Sequence, residues 1–593
     1  MASGFHQLSG MMAVAHSRPD RTYVKYVAWM AILLAALPGC EAGRRAVSTY
    51  DSAPVADRSI RRAMASGTEW PSYGRDYTNQ RYSSLAQIDT TNVARLALAW
   101  DFHNGIMSAY ETSPIVIGRT MYVSTPRNHV VALDAVTGAK KWEYVHQYST
   151  TIDCCGPVNR GVAVYGGRVF MGTVDARLVA LDAETGQKLW DVKVADNELG
   201  YHITSAPVAV AGLVITGISC GEQGGRCHVT AYDAEDGHLR WRFYTIPSPE
   251  EGGWWGSWKT TDPFGTPLNR DIAREKADSA KHQDTWKNGG APMWHAPAVD
   301  TALKLVYLNV GNAAPDEDGS VRPGDNLYSC SLVAVDLETG KLRWYFQFMP
   351  HDLWDYDAAA PMVLLDVPDS TGAMVPAAAQ AGKTGWVYVV DRRTGKPIRR
   401  SDAFVPRLNF LSKPTAAGVL ISPATLGGSD WSPPSYNPTL GYLYVNGNYF
   451  PQLYKLKTET LARPAQYWGG SVLSTTNQEY GLYSAVDLRT GKIAWQYRTA
   501  KAMISGSVAT AGGLTFTGLS DGHFVAFNAR SGKLLWDFPT HAGVNAPPIT
   551  YSIDGRQYVA VAAGGNLPVN STRGDELLVF RLDSVTPAPR ATP

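Results

Sequence analysis

A phrase of about eleven residues recurs along this chain of 593 residues, and it restricts the possible folds more than any other feature. Each copy joins an apolar segment to a turn resembling Asp-x-x-Thr-Gly, and a second segment that usually ends in Trp follows. Copies begin at residues 132, 180, 231, 334, 485 and 526, and a degenerate copy without the Trp begins at residue 389. Because the Gly can adopt positive φ, each copy predicts two antiparallel strands joined by a tight turn.

Two more strand-like segments precede most copies, such as GRVFMGT at 167–173 and GLTFTGL at 513–519. Four short strands in each repeat are typical of the blade of a β-propeller. The first three copies are spaced by 48 and 51 residues. The two longest intervals contain segments with little strand alternation, 248–290 and about 399–429, which we interpret as insertions. Seven blades therefore carry the repeat.

The two ends of the folded chain predict an eighth blade. Strand-like segments at 547–565 and 576–582 lie near the C-terminus, and LALAWDF at 96–102 is a suitable fourth strand. That pairing would join the chain ends and leave no open sheet edge. The fold prediction is therefore all-β, an eight-bladed β-propeller over residues 67–593. The tryptophans of the repeat are predicted to dock between neighbouring blades, with no catalytic role.

Charge and composition exclude some functions. The counts of 54 Lys+Arg and 53 Asp+Glu give a net charge of +1, without a long basic run beyond the N-terminus. Nucleic acid is therefore not an expected partner. The 56 Gly, 36 Pro and 18 Trp are typical of a turn-rich globular chain. No Cys-x-x-Cys-His motif occurs, so a covalently attached haem domain is not expected.

The first forty residues differ from the rest of the chain. Basic residues at 18, 21 and 25 precede the apolar run VAWMAILLAALPGC at 27–40. A basic segment before a short apolar segment is typical of a secretory signal. The apolar run is shorter than the roughly 20 residues that a membrane-spanning helix needs. The sequence therefore predicts an exported protein, located in the periplasm.

The end of that run resembles the bacterial lipobox, because LPGC places a Leu three residues before Cys40. The resemblance implies a lipoprotein signal peptide at 1–39 and a lipid anchor at Cys40 as the only membrane contact. An ordinary signal peptide with a cysteine near its cleavage region is the alternative. Residues 40–66 lack apolar periodicity beyond the cysteine and are predicted to be a flexible tether.

Several polar residues outside the repeats are candidates for a functional site, because blade packing does not require them. They occur one or two to a blade, as expected for a site to which every blade contributes near the propeller axis. In chain order they are Glu111, Arg160, Thr204, Glu222, Trp294, Asn312, Asp352, Asp355, Asp357 and Lys383. Taken singly, each has a structural alternative: Glu222 could pair with Arg226, and Asp352 or Asp357 could cap loops.

Adjacent cysteines at Cys154 and Cys155 are the least common feature of the chain. Their Cα atoms lie about 3.8 Å apart across a trans peptide, whereas an ordinary disulfide prefers roughly 5.5–6 Å. If bonded, the pair would form a strained and locally rigid ring. If free, it would be a pair of neighbouring thiols.

The carboxylate and amide residues suit a hard cation, because oxygen is the ligand atom that such ions prefer. A cation bound there would act as a Lewis acid on a neighbouring carbonyl group. An Asp beside that cation could accept the proton of a substrate hydroxyl, and Asp355 is our candidate for this base.

Together these phrases resemble the quinoprotein alcohol dehydrogenases of the methanol and ethanol dehydrogenase type, from about Trp70 to about Leu582. The resemblance implies an eight-bladed propeller that oxidises alcohols with pyrroloquinoline quinone (PQQ) and Ca²⁺ or a lanthanide ion. It also implies site residues. Cys154 and Cys155 would lie against one face of the quinone and Trp294 against the other, and the remaining cofactor contacts would be Glu111, Arg160, Thr204, Lys383 and Asp430. The metal ligands would be Glu222, Asn312, Asp355 and Asp357, with Lys383 and Asp355 as catalytic residues.

The resemblance leaves alternatives open. Asp357 matches the extra carboxylate of lanthanide-using members, yet calcium-type members also carry WDYD. The sequence departs from the family at Asp430, where Asn is usual, and at Ile504, where methanol-oxidising members have Trp. Cys220 and Cys227 stand where glycines are usual, and the sequence leaves open whether they form a second disulfide.

The expected function is oxidation of an alcohol to an aldehyde outside the cytoplasm. Electrons would pass to an external acceptor, and the family resemblance implies a cytochrome c or a membrane quinone. The alternatives are a PQQ-dependent sugar or polyol dehydrogenase, and a catalytically empty propeller lipoprotein that acts as a scaffold or sensor.

Overall fold

The computed structural model describes residues 55–148, 156–474 and 478–583. This part of the chain contains two α-helices, α1 (Val55–Ser66) and α2 (Ile272–Asp278), and is otherwise built from β-strands. The short 3₁₀ turns are Val93–Arg95, Pro126–Asn128, Asn197–Leu199, Pro249–Glu251, Ser279–His282, Thr285–Asn288 and Gly319–Val321.

We number the strands in chain order. The first eighteen are β1 (Tyr82–Ser83), β2 (Leu96–His103), β3 (Ile115–Ile117), β4 (Thr120–Thr125), β5 (His129–Asp134), β6 (Lys140–Val145), β7 (Ala163–Tyr165), β8 (Arg168–Gly172), β9 (Arg177–Asp182), β10 (Lys188–Lys193), β11 (Val208–Val210), β12 (Leu213–Gly217), β13 (His228–Asp233), β14 (Leu239–Tyr244), β15 (Ala298–Asp300), β16 (Leu305–Val310), β17 (Ser331–Asp336) and β18 (Leu342–Gln347).

The remaining strands are β19 (Val363–Pro368), β20 (Met374–Ala381), β21 (Val387–Asp391), β22 (Pro397–Arg400), β23 (Val419–Ile421), β24 (Ser435–Asn437), β25 (Tyr442–Tyr449), β26 (Gln452–Leu456), β27 (Gly470–Leu473), β28 (Tyr480–Asp487), β29 (Lys492–Arg498), β30 (Ser507–Thr510), β31 (Leu514–Leu519), β32 (His523–Asn528), β33 (Leu534–Pro539), β34 (Ile549–Ile553), β35 (Arg556–Ala563) and β36 (Glu576–Leu582).

Most of these strands form four-stranded antiparallel sheets. Within the described ranges there are eight such sheets: β3–β6, β7–β10, β11–β14, β15–β18, β19–β22, β24-β25-β28-β29, β30–β33 and β34-β35-β36-β2. Strand β1 adds to β30 in parallel, and β23, β26 and β27 form a small separate sheet. The all-β class is therefore confirmed.

The predicted pairing of the chain ends is confirmed. Strand β2 pairs antiparallel with β36, and the register joins Leu96 to Leu582 and His103 to Glu576. The insertion predicted at 248–290 contains no strand and carries α2. The interval of about 399–429 differs from the expectation, because its residues 419–421 form β23, which pairs with β26.

The repeat turns are stabilised by local hydrogen bonds. Asp182 Oδ1 accepts hydrogen bonds from the backbone N–H of Glu184 and Thr185 and from the Thr185 hydroxyl, at 2.8–3.1 Å. Gly186 closes the turn at φ 73°, a backbone conformation that glycine adopts without steric cost. The Trp142 indole of the preceding sheet donates to the Ala183 carbonyl at 3.1 Å. A Cβ at Gly186 would lie 2.6 Å from that indole ring.

Helix α1 differs from the expectation of a tether through residue 66. Ile60 is buried, and Met64 packs against the same cluster of apolar side chains, which includes Tyr77 and Ala163. Residues four apart lie on one face of a helix, so two apolar side chains are enough to attach it. Arg75 also donates to the Met64 carbonyl at 2.9 Å. The predicted signal peptide, the lipid site at Cys40 and the pair Cys154–Cys155 lie outside the described residues.

Each four-stranded sheet has two ends that carry different residues. In the seven sheets that contain the repeat, the turn between the third and fourth strands lies at one end, which we call the repeat end; in the sheet β34-β35-β36-β2, Leu582 and Leu96 lie there instead. The start of the first strand and the connection between the second and third strands lie at the opposite end, which we call the entry end. Antiparallel order alone dictates this division. No helix in the described ranges is both long enough and apolar enough to span a membrane.

Candidate functional site

Nine of the predicted site residues line one cavity of about 390 Å³. They are Glu111, Arg160, Thr204, Glu222, Trp294, Asp355, Asp357, Lys383 and Asp430. All nine come from the entry ends, either just before a first strand or between a second and a third strand. The volume of the cavity is in the range of cavities that bind small molecules. Asn312 does not line the cavity, but it lies beside it, because its backbone N–H donates to Asp357 Oδ1 at 2.7 Å.

Lys383 lies at the centre of a buried group of acids. Its ammonium donates to Asp355 Oδ2 at 3.0 Å and to Asp357 Oδ2 at 2.9 Å, and it lies 3.5 Å from Asp430 Oδ1. Burial lowers the pKa of Lys383, but the three carboxylates outweigh burial and hold this pKa well above its usual value. Lys383 is therefore a permanent cation of the site.

The backbone around the acids is arranged to bring them together. Asp355 has a φ of 60°, in the left-handed region that non-glycine residues rarely adopt. Asp352 accepts hydrogen bonds from the backbone N–H groups of Trp354 and Tyr356, so it caps this loop as one alternative predicted. A Cβ at position 311 would lie 2.2 Å from Asp357 Oδ1, which explains the glycine at that position.

Glu222 lies on a short loop closed by a disulfide. Cys220 and Cys227 are bonded, which answers the question that the sequence leaves open, and both are completely buried. The alternative that Glu222 pairs with Arg226 is wrong, because Arg226 instead forms an ion pair with Glu251 and donates to the Ile246 carbonyl.

Arg160 is held between two aromatic rings. Its guanidinium carbon lies 5.0 Å from the ring centroids of both Trp294 and Trp431, within the range of cation–π attraction. Its Nη2 lies 3.1 Å from Glu111 Oε2, and Asn566 donates to Glu111 Oε1. Arg160 Nε has no hydrogen-bond partner within the described part of the chain, so it remains available to a ligand.

Negative charge exceeds positive charge in this cavity. Five carboxylates line it, and only Arg160 and Lys383 are cationic, which leaves three negative charges unbalanced. Burial is the largest effect on the pKa of Glu111, Glu222, Asp355 and Asp430, and it raises each of these values. Neighbouring carboxylates raise them further. A multivalent cation would offset this repulsion.

Comparisons with known proteins identify the family. Residues 70–409 and 463–559 match the family described as PQQ glucose/ethanol/alcohol dehydrogenase, β-propeller domain. The chain belongs to the quinoprotein alcohol dehydrogenases. It is 35% identical over 517 residues to the quinoprotein alcohol dehydrogenase PedH of Pseudomonas putida, covering 83% of this chain and 85% of that protein. It is 36% identical over 529 residues to the lanthanide-dependent methanol dehydrogenase of Methylacidiphilum fumariolicum, covering 84% of each.

Solved structures agree with this membership. A europium-containing methanol dehydrogenase superimposes with a TM-score of 0.79 at 33% identity and covers 88% of this chain and all of its own. The quinohemoprotein alcohol dehydrogenase of Comamonas testosteroni superimposes with a TM-score of 0.79 at 32% identity, covering 91% of this chain and 84% of its own. The quinoprotein described here is thus a β-propeller protein of an oxidoreductase family.

PQQ is a planar quinone that carries three carboxylates, and the cavity of this quinoprotein offers groups suited to both features. Trp294 is only partly buried and lines the cavity, so part of its indole is open to a ligand. Arg160 supplies a cation for carboxylates, and the hydroxyls of Thr204 and Ser219, 3.3 Å apart, supply neutral donors.

The oxygen donors fit a hard cation. The amide oxygen and nitrogen of Asn312 and Oδ1 of Asp355 are buried without hydrogen-bond partners among the described residues. Atoms of this kind are costly to leave unpaired, and the two oxygens among them are natural ligands for Ca²⁺ or a lanthanide ion. Across the described ranges, no three His, Cys, Asp or Glu side chains already converge in metal-binding geometry, and Lys383 lies between two of the predicted ligands.

Several cavity residues were missed by sequence reasoning. Asn566, Trp431, His202, Ser219 and Trp468 all line the cavity. Trp431 stands next to Asp430 in the sequence, so its neighbour was a usable signal. Asn566 had no such signal, because its partner Glu111 is 455 residues away.

Proposed function

We propose that this protein oxidises an alcohol to an aldehyde with PQQ and passes the electrons to an external acceptor. The observation that carries the proposal is the convergence of five carboxylates, two cations and an open indole in one cavity. Membership of the quinoprotein alcohol dehydrogenases supports the reaction class.

Asp355 is the proposed general base. Its unpaired Oδ1 and the left-handed backbone at this residue favour a catalytic role over a structural one. Burial raises the pKa of Asp355 well above its usual range, and a cation beside it would favour the carboxylate form that accepts a hydroxyl proton. When bound, PQQ supplies the acceptor for the electron pair of the alcohol. Lys383 would donate a hydrogen bond to the cofactor and stabilise negative charge there.

The proposed cofactor contacts are Glu111, Arg160, Thr204, Trp294, Lys383 and Asp430, together with Cys154 and Cys155. Trp294 would stack on the planar ring, and Arg160 would bind a carboxylate. Asp430 stands where relatives usually have Asn, yet its burial and its contact with Lys383 are compatible with a cofactor contact.

The proposed metal ligands are Glu222, Asn312, Asp355 and Asp357, and the ion is Ca²⁺ or a lanthanide. Europium-containing and lanthanide-dependent relatives support the lanthanide alternative. Asp357 is the carboxylate that would match the higher charge of a lanthanide ion.

We also infer that the eight sheets are blades of one eight-bladed propeller, docked through the repeat tryptophans. The pairing of β2 with β36 and the indole contacts of Trp142, Trp241 and Trp536 with neighbouring sheets support this arrangement. The lipoprotein signal peptide at 1–39, the anchor at Cys40, the tether before α1 and a periplasmic location are part of the same proposal.

The substrate is proposed to be a small to medium alcohol. Ile504 lines the cavity next to Trp431 and is smaller than an indole, which leaves more room for substrate. A cytochrome c is the proposed electron acceptor. Sugars and polyols are the alternative substrates that the assay below tests.

Reconstitution tests the proposed function. Purified metal-free protein is incubated with PQQ and either Ca²⁺ or a light lanthanide, and dye reduction is followed with a panel of alcohols and sugars. We expect a bound-cofactor absorbance spectrum and alcohol-dependent turnover. Absence of both with every metal would contradict the proposal, and turnover with sugars alone would favour the polyol alternative.

Asp357→Ala tests the choice of metal. We expect lanthanide-dependent activity to be lost and calcium-dependent activity to remain. A lanthanide response that survives this substitution would show that Asp357 does not select the ion.

A further inference from the structure

The proposed function assigns no role to the connection between β26 and β27, although this connection reaches the cavity. We call its residues 457–469 the strap. At the base of the strap, Lys457 N–H donates to the Gly469 carbonyl at 3.0 Å. Gln466 and Trp468 line the cavity, and the Trp468 indole N–H donates to the Gln466 side-chain oxygen at 3.1 Å. The strap thus brings a paired amide and indole to the wall of the cavity.

The tip of the strap is attached to connections that belong to other sheets. The Arg463 guanidinium donates to the Leu199 carbonyl at 2.5 Å, and its carbon lies 4.7 Å from the centroid of the Tyr201 ring. The second distance is within the range of cation–π attraction. Leu461 lies close to Gly224, because a Cβ added at Gly224 would be 2.9 Å from Leu461 Cδ1. The tip therefore contacts the connection between β10 and β11 and the connection between β12 and β13.

The backbone of the strap is bonded to two connections that carry proposed metal ligands. Tyr467 N–H donates to the Glu222 carbonyl, and Glu317 N–H donates to the Trp468 carbonyl. Glu317 lies on the connection between β16 and β17, which also carries Asn312. Trp468 is therefore held on the side of the cavity where the proposed metal ligands lie.

Three tryptophans of the described residues line the cavity, and two of them have other partners. Trp294 is assigned to the cofactor by the proposed function. Trp431 is 3% exposed, and the Arg160 guanidinium carbon lies 5.0 Å from its ring centroid. Trp468 is partly exposed, and no aromatic or cationic side chain of the described ranges stacks on its ring. The faces of the Trp468 indole are therefore available to a substrate.

We propose that Trp468 is a specificity-determining residue that contacts the apolar substituent of the alcohol, and that Arg463 is the positioning residue that holds this indole at the cavity wall. The inference rests on the proposed function, in which the alcohol hydroxyl binds beside Asp355 and the metal ion. An indole offers a large apolar contact area to an alkyl or aryl substituent. The further hydroxyls of a sugar or polyol would lose hydrogen bonds to water against this ring. The site therefore favours alcohols with one hydroxyl and an apolar substituent over sugars and polyols.

Steady-state kinetics of the reconstituted enzyme with 1-hexanol and ethanol test the role of Trp468. We expect Trp468→Ala to raise KM for 1-hexanol about tenfold and to leave kcat unchanged, because contacts made equally before and during the reaction affect KM alone. KM for ethanol should change by less than about twofold, since its methyl group buries little apolar area. Trp468→Phe keeps an aromatic ring and should retain most of the wild-type preference for 1-hexanol.

Three results of these kinetics would overturn the inference. The first is a wild-type KM for 1-hexanol in Trp468→Ala, and the second is an equal rise of KM for both alcohols. The third is a wild type whose kcat/KM is higher for sugars than for 1-hexanol. A wild type that turns over no alcohol and no sugar would instead refute the proposed function, and this inference with it.

Limited proteolysis with chymotrypsin tests the positioning role of Arg463 without any bound cofactor. Arg463→Gln removes the cation over Tyr201, so we expect cleavage after Tyr467 and Trp468 to be about two- to fivefold faster than in wild type. The same variant should raise KM for 1-hexanol by about two- to fivefold and leave kcat unchanged.

The matched control is Arg498→Gln, because the Arg498 guanidinium carbon lies 3.8 Å from the centroid of the Tyr480 ring and Arg498 does not line the cavity. This control should keep the wild-type cleavage rate and the wild-type KM. Wild-type cleavage in Arg463→Gln, or faster cleavage without a change in KM, would overturn the positioning role. Equal effects in Arg498→Gln would also overturn it.

Discussion

The two ends of the sheets use the same amino acids in opposite ways. At the repeat end, Asp182 is partly exposed to solvent and satisfied by hydrogen bonds within its own turn, first from the Thr185 side chain, which lower its pKa. At the entry end, burial raises the pKa of Asp355, Glu222 and Asp430. The difference teaches that position relative to the sheet, and not residue type, decides whether local hydrogen bonds lower the pKa of an acid or burial raises it.

Replacement of one acid at each end gives the largest expected contrast. Asp355→Asn should lower kcat by about 10²–10⁴-fold in the reconstituted enzyme, because it removes the proposed base without changing side-chain size. Asp182→Asn should leave kcat unchanged, since its turn lies at the repeat end. Steady-state dye reduction measures both, and circular dichroism checks the fold. Equal kcat values for the two variants would contradict the expected difference between the entry end and the repeat end.

Removal of a cation from each type of environment is the next test. Lys383→Met leaves Asp355 and Asp357 without their shared partner, so we expect the metal-free protein to lose about 3 kcal/mol of unfolding free energy at neutral pH. Lys304→Met breaks an exposed ion pair with Glu338 and should have no measurable effect. Urea unfolding measures both. Similar midpoints for the two variants would mean that water or protons already neutralise the buried acids.

The disulfide at the entry end offers a smaller effect. Replacing both Cys220 and Cys227 with Ser should destabilise the protein by about 2 kcal/mol, because the loop they close is short. It should also weaken Tb³⁺ binding about tenfold by loosening the loop of Glu222. Reduction of wild type with dithiothreitol should reproduce both effects. Unchanged affinity would indicate that the bond from Tyr467 N–H to the Glu222 carbonyl is sufficient to position the loop.

The pH dependence of metal stabilisation is the smallest expected effect. Burial raises the pKa of Glu222, Asp355 and Asp430, and it raises the pKa of Asp352, which caps the loop of Asp355, to about 6. The metal-free folded state therefore binds more protons than the unfolded state above about pH 4. Its stability from these groups therefore falls as pH rises from about 4 through 6. A bound cation offsets this loss, so the increase in Tm on adding metal should be a few °C larger at pH 7.5 than at pH 5.

Because buried histidines such as His228, whose pKa burial lowers to about 3, contribute the opposite trend, the quantity to compare is the metal-dependent difference. Asp182→Asn should leave the metal-dependent difference in Tm unchanged, since Asp182 lies at the repeat end and the cavity residues come from the entry ends. A difference that is independent of pH would contradict the assignment of raised carboxyl pKa values to the site.

Much of the fold was predictable because its determinants are local. The turn at Asp182–Gly186 is specified by hydrogen bonds that span three residues, so its sequence repeats whenever the structure repeats. Helix α1 was not predicted, because it shows no extended apolar pattern and because its apolar residues Ile60 and Met64 pack against residues distant in the sequence, such as Ala163. The site was predictable as a list of residues that blade packing does not need, and through family resemblance as a cofactor site. Its geometry was not.

The sequence by itself determined the strand-turn-strand repeat, the all-β class and the pairing of 96–102 with the C-terminal strand, because these depend on short-range turn chemistry and apolar alternation. Only the tertiary structure decided which acids share a partner. Lys383 binds Asp355 from 28 residues away, and Asn566 binds Glu111 from 455 residues away. Contacts of this kind leave no periodic pattern, because they arise where separate sheets bring their entry ends to one cavity.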